Sequence, residues 1–137
     1  MNAPPRAVGP KACFIRDAAT HSPMKLQAVY RVTVYVPPAY VQRVVDAICA
    51  VDDLRIAGYE HVVWTSALGT EQFRPLPGAI PTQGEVGEFT CTPTVRVEFC
   101  IARDPERLWR VIEKGIRPSH PWEIPAIFVD ESQLPLP

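Results

Sequence analysis

A strict alternation of apolar and polar residues, followed at once by a helical repeat, occurs twice in this chain, and that doubled unit constrains its fold more than any other feature. Tyr30, Val32, Val34 and Val36 fall on one face of a strand and Arg31, Thr33 and Tyr35 on the other. Pro37-Pro38 ends the strand, and Pro38 suits a helix start because the N–H it lacks would be unsatisfied there. Val41, Val44, Val45, Ile48 and Val51 recur at spacings of three and four, which predicts an amphipathic helix from Ala39 to Val51 with Arg43 and Asp46 on its wet side. The unit returns where Val95, Val97, Phe99 and Ile101 alternate with Arg96, Glu98 and Cys100. Asp104-Pro105-Glu106 then supplies an N-cap, a first-turn proline and an acid at the positive end of the helix dipole. Leu108, Val111, Ile112 and Ile116 form the apolar stripe of this second helix, from which Trp109 departs. Glu106 with Arg110 and Glu113 with Arg117 add i,i+4 pairs, and Pro118 and Pro121 are expected to end the helix.

Each unit is completed by a further strand. Tyr59 to Thr65, rich in β-branched and aromatic residues, predicts one that runs on beyond Ala67 as a ribbon ending near Phe73. Ala126 to Val129 predicts the last, with Pro135 and Pro137 closing the chain. Strand, helix, strand, twice over, is the split βαβ arrangement of ferredoxin-like domains, an α+β fold with two helices on one face of an antiparallel sheet. The other face would carry Arg31, Thr33, Tyr35, Arg96, Glu98 and Cys100, a mixed surface that invites self-association.

A chain of 137 residues suffices for one core, assigned to residues 24–137. Residues 1–23, with four prolines and no periodicity, are expected to form a disordered tail, and Met24 is a second possible start. Fourteen basic against fifteen acidic residues leave a net charge of -1, without the clustered Lys and Arg that nucleic acid or an anionic membrane demands. No apolar run reaches the roughly 18 residues of a membrane span, and the first 23 residues lack the apolar centre of a signal peptide, so a cytoplasmic location is expected. Cys13, Cys49, Cys91 and Cys100 show no CxxC spacing and read as free, reduced thiols.

Two segments stand outside this scaffold. Gly69 to Gly87, GTEQFRPLPGAIPTQGEVG, holds three prolines and four glycines where a tight turn is the norm, and reads as a loop that binds or holds something. His120-Pro121-Trp122-Glu123-Ile124-Pro125 leads directly into the last strand. With Tyr30 to Pro37, Gly58 to His61, Phe73-Arg74-Pro75, Pro77-Gly78-Ala79, Pro81 and Gly84 to Gly87, these segments resemble the PII-like and CutA-like domain inserted in YqfO-type proteins of the dinuclear-metal hydrolase-like superfamily. The likeness spans about Lys25 to Glu131, and the domain would here stand alone. It implies a homotrimer in which edge ribbons extend neighbouring sheets, and a loop placed as the ligand- and partner-contacting loop of PII proteins is. The metal ligands of YqfO-type enzymes lie in flanking domains with no counterpart in this sequence, so the hydrolase-like chemistry is not implied.

The candidate sites carry alternatives. Gly69, Gly78, Gly84 and Gly87, with Arg74 nearby, could let backbone N–H groups meet an anion, but the spacing fits no phosphate loop and the prolines remove donors, which favours a rigid structural or interface loop including Phe73 and Pro75. His61, His120 and Glu123 could hold zinc or copper, although a His before Pro more often orders a turn. Trp64, Trp109 and Trp122 could stack bases, a reading that the lack of basic interleaving weakens, and for Trp109, which departs from its helix's apolar stripe, a subunit contact is the simpler use. No nucleophile and base pair can be assembled from Cys100, Ser66 or Ser119. The expectation is a non-enzymatic homotrimeric binding or regulatory module without a required cofactor, possessing a potential protein contact at the 69–87 loop. The alternative is a CutA-like metal binder or the remnant of a metal-dependent hydrolase.

Overall fold

A computed structural model describes residues 23–137 together with Asn2, Ala3 and Pro5. The expectations for a disordered tail and for Cys13 fall almost wholly on residues outside that set. Five strands, β1 (Lys25–Val36), β2 (Trp64–Thr65), β3 (Gly69–Phe73), β4 (Thr90–Ala102) and β5 (Ile127–Leu136), form a sheet with the order β2-β4-β1-β5, and β3 pairs with the first half of β4. All pairings are antiparallel. Helix α1 (Val41–Val51) follows a 3-10 turn at Pro38–Tyr40. The second helical rod is α2 (Pro105–Arg110), a π-helical stretch (Val111–Ile116) and α3 (Arg117–Ser119). This is the expected α+β ferredoxin-like sandwich.

The alternation in β1 and β4 places Val32, Val34, Val36, Val97, Phe99 and Ile101 in one core with Val44 and Ile48 of α1 and Val111 and Ile116 of the rod. Each such side chain contributes about 1.5–3 kcal/mol on full burial. Both helical layers therefore lie on one sheet face. Asp104 caps the rod, its Oδ1 accepting from the N–H of Glu106 and Arg107 at 3.0 and 3.3 Å. A bidentate pair ties the end of α1 to the start of α2: Arg107 Nη2 donates to Asp52 Oδ1 at 2.8 Å while its Nε donates to Oδ2. That bond to Arg107 is the main reason the Asp52 carboxyl titrates below its usual range.

Four expectations need correction. The strand at Tyr59 to Thr65 shrinks to Trp64–Thr65, because Leu54, Ala57 and His61 adopt positive φ values of 50, 50 and 54° and coil the preceding segment, which Asp52 and Asp53 fasten through the N–H groups of Leu54 and Arg55. The rod passes Pro118 instead of stopping there: the wider π register ahead of the ring relieves the clash with the preceding turn, and the Ser119 hydroxyl donates to the Gly115 carbonyl at 2.7 Å. Of the two i,i+4 pairs, Glu113–Arg117 closes at 2.8 Å, whereas no ion pair forms between Glu106 and Arg110 among the described residues. The last strand runs to Leu136 through Pro135, which an edge strand tolerates because its outer N–H positions have no partner.

The register leaves two ribbons at opposite ends of the sheet. Lys25 to Ala28 pair only with Gln133 to Leu136, and β3 with Thr90 to Thr94 continues past the end of β1, where Val36 meets Val95. The face away from the helices carries Arg31, Thr33, Tyr35, Arg96, Glu98 and Cys100 as expected, joined by Phe128, Asp130 and Trp64 from the strands at either side. Glu98 accepts from Thr33 at 3.3 Å and lies 3.6 Å from Arg31; Tyr35 and Phe128 meet edge to face; Arg96 sits over Trp64 at 5.1 Å. None of the described helices is long and apolar enough to cross a membrane.

Candidate functional site

The ribbon expected to end near Phe73 is β3, so the Gly69 to Gly87 segment starts as strand and only residues 74–89 form the connection of a β3–β4 hairpin. That connection folds back upon its own ribbon. Gly84 makes the fold-back possible, since it adopts φ +79° and a Cβ there would lie 2.4 Å from Thr90 Oγ1. The Gly87 N–H donates to the Pro75 carbonyl at 2.8 Å, the Ala79 N–H to Leu76 and the Glu88 N–H to Glu85, both at 3.1 Å, so these donors are spent within the connection. Gln83 Oε1 accepts from the Thr92 hydroxyl at 2.6 Å. Arg74 lies over the Phe89 ring at 4.7 Å. Gly69 sits in the strand, with Thr94 O at an ordinary 3.4 Å from where its Cβ would be, and Gly78 faces open space.

The second segment meets the first within one chain. The Ile80 N–H donates to Glu123 Oε2 at 3.0 Å, and the Thr82 hydroxyl to the Pro121 carbonyl at 2.9 Å. Behind this contact, His120 is 7 % exposed and both its ring nitrogens are engaged, Nε2 with the Tyr35 carbonyl at 2.7 Å and Nδ1 with the Trp122 N–H at 3.1 Å. A carbonyl can only accept and an N–H only donate, so the imidazole is neutral and protonated on Nε2. Burial pushes its pKa below the usual value. The ring also packs at a tilt on Trp122, 5.1 Å between centroids, and Pro125 is buried beside the start of β5.

Between connection, ribbon and turn lies a cleft of about 230 Å³. Phe73, Pro75, Pro81, Trp122 and Ile124 supply its apolar wall, and Glu71 and Glu123 its charges. Glu71 was not among the residues singled out by sequence. It faces Thr92 across the ribbon, two places from Phe73, and burial raises its carboxyl pKa, partly offset by the Thr94 hydroxyl. A second hollow of about 450 Å³ shares Glu71 and opens among Tyr35, Arg96 and Phe128 of the uncovered sheet face.

The metal trio is not assembled. His120 has no free nitrogen, Glu123 serves the Ile80 N–H, and His61 lies in the coil after α1, its own N–H bonded to Asp53. No group of three His, Cys, Asp or Glu with metal-holding geometry exists among the described residues. The chemistry of the donors thus speaks for a turn-ordering His120, as the proline after it suggests. An anion fits poorly as well, because two carboxylates and no Lys or Arg line the cleft. The tryptophans are dispersed: Trp122 lines the cleft, Trp64 lies on the uncovered face, and Trp109 is exposed beneath Lys114.

The chain is 34% identical over 113 residues to the GTP cyclohydrolase 1 type 2 homolog of Bacillus subtilis, covering 82% of this chain and 29% of that protein. It is 25% identical over 115 residues to the protein of the same name from Halalkalibacterium halodurans, covering 84% and 30%. The chain thus spans less than a third of the curated relatives it matches. Among solved structures, a Bacillus cereus protein related to NIF3 superposes with a TM-score of 0.64 at 25% identity, covering 81% of this chain and 27% of that one. The divalent ion tolerance protein CutA1 from Ehrlichia chaffeensis gives 0.55 at 12% identity, covering 79% and 84%. No family profile matches. The chain is thereby related to a segment of the GTP cyclohydrolase 1 type 2 homologs and NIF3-related proteins, and it shares the fold of CutA1.

Proposed function

We propose that this chain is a PII/CutA-like homotrimeric binding or regulatory module, without enzymatic activity, that uses the cleft between the 74–89 connection and the His120 to Pro125 turn. The observation that carries the reading is the uncovered sheet face. Phe128 and Trp64 are 57% and 52% exposed there, beside charged groups already paired within the sheet. A monomer has no reason to hold such aromatics in water, whereas sister copies laid on that face bury them, and aromatic residues are enriched in such contacts. The ribbons at either end of the sheet offer unpaired strand edges to the same neighbours. The cyclohydrolase named in the relatives is not carried over, since this chain matches under a third of their length and its buried histidine has no nitrogen to spare for chemistry. Cys49, Cys91 and Cys100 are all free, which suits work in the reducing cytoplasm.

Native mass spectrometry tests the reading. Three copies of the 15.3 kDa chain are expected, and phosphatase or nucleotide-hydrolase turnover that disappears in His120→Ala would contradict the non-enzymatic part.

A further inference from the structure

We propose that the cleft binds a small organic cation, a flat one- or two-ring body carrying a protonated amine or amidine, and that Glu71 is the group that recognises its charge. The inference deepens the reading of the chain as a binding module and rests on it.

Glu71 Oε2 is a buried side-chain oxygen with no hydrogen-bond partner, the one such atom among the described residues. A buried acceptor left unmade is costly, more so when charged, so each one in a folded protein asks for an explanation. No cation within the chain supplies it. Glu71 forms no ion pair among the described residues, and Arg96, the basic residue lining the neighbouring hollow, is stacked over Trp64. Burial holds the Glu71 carboxyl above its usual range, the response of a carboxylate kept from water, and the Thr94 hydroxyl offsets only part of it.

The surroundings say what the missing partner looks like. Phe73 and Trp122 present ring surfaces, with Pro75, Pro81 and Ile124 completing a dry wall. Flat apolar bodies and cations both bind well to such rings. Glu123 adds a second negative group at the rim, while its Oε2 remains bonded to Ile80. Two carboxylates without a basic residue repel anions and attract cations. A volume of about 230 Å³ lies under the roughly 300–1,000 Å³ of pockets for drug-sized molecules, which limits the occupant to one or two rings.

Benzamidine, benzamide and benzoate share one ring and differ in charge, so calorimetry and amide NMR shifts on the intact protein with these three probes test the proposal. Benzamidine is expected to bind with shifts at Phe73, Gln83 and Trp122, benzamide about tenfold more weakly, and benzoate undetectably; a charge-assisted hydrogen bond is worth that factor or more. Glu71→Gln keeps the side-chain shape and should erase the preference, bringing benzamidine and benzamide within about twofold. Equal binding of the two probes by the wild type, no benzamidine binding up to about 10 mM, or an undiminished preference in Glu71→Gln overturns the proposal. Subunit number measured on the same samples separates the failures. A trimer indifferent to benzamidine sinks only the cation site, whereas a monomer sinks the reading beneath it.

Discussion

Replacing His120 by alanine should cost this domain a large part of its stability, because the imidazole joins β1 to the turn that leads into β5. The change removes the donor to the Tyr35 carbonyl and the acceptor for the Trp122 N–H, at 2.7 and 3.1 Å, and empties a site that is 7 % exposed. Each backbone group left without a partner costs about 1–3 kcal/mol. With partial rehydration of the opened turn the loss should be about 3 kcal/mol, against a typical total of about 5–15 kcal/mol. For a domain of this size that lowers Tm by roughly 12 °C. Urea denaturation of the wild type, His120→Ala and His120→Gln measures it, and Gln should recover part of the loss because its amide can still reach Tyr35. The pH dependence has a definite sign. The folded-state pKa is depressed, so between the unfolded value of about 6.5 and the lower folded one the unfolded chain binds more protons. Stability contributed by neutral His120 is therefore full above about pH 6.5 and declines as the solution is acidified through that window. A loss below about 1 kcal/mol in His120→Ala, or a decline that persists unchanged in His120→Gln, would refute the reasoning.

Two other substitutions have clear outcomes. Gly84→Ala forces a Cβ onto Thr90 at a φ of +79° and should cost about 2 kcal/mol, felt as opening of the connection: hydrogen exchange at the Ile80 and Gly87 amides should quicken by roughly 30-fold while core amides keep their protection. In Gly115→Ala, helix propensity favours alanine by about 1 kcal/mol, but the new Cβ would sit 3.2 Å from the Ile48 Cα, so the rod is pushed off α1 and the urea midpoint should fall; a midpoint that rises shows that the two helices have room to part.

The scaffold was legible where one physical signal dominated. Val32, Val34 and Val36 alternate because one face of β1 is dry, and Asp104-Pro105 marks a helix start through local chemistry alone. Signals failed where the decisive fact was a backbone angle or a distant partner. Nothing in Leu54, Ala57 or His61 as residue types announces positive φ, so the coil before β2 read as strand. The far end of β5, Gln133 to Leu136, pairs with the exposed start of β1, Lys25 to Ala28, and has no core to imprint an alternation. Pro118 looked like a stop because a π register is invisible in sequence. Both candidate segments stood out by composition, yet the contact that unites them, Ile80 to Glu123, spans 43 positions. Glu71 passed unnoticed within a polar Gly-Thr-Glu-Gln run, and its alternation with Phe73 could have drawn notice only with β3 already paired to Thr92 and Thr90.

Sedimentation equilibrium of the wild type beside Phe128→Glu tests most directly whether the uncovered sheet face is where copies meet. The wild type should sediment as three chains at micromolar concentration, and the variant, with a charge set edge-on to Tyr35, should fall to single chains with an unchanged far-ultraviolet spectrum. A wild type that stays a single chain at every concentration, or a variant that trimerises as readily, would contradict the account.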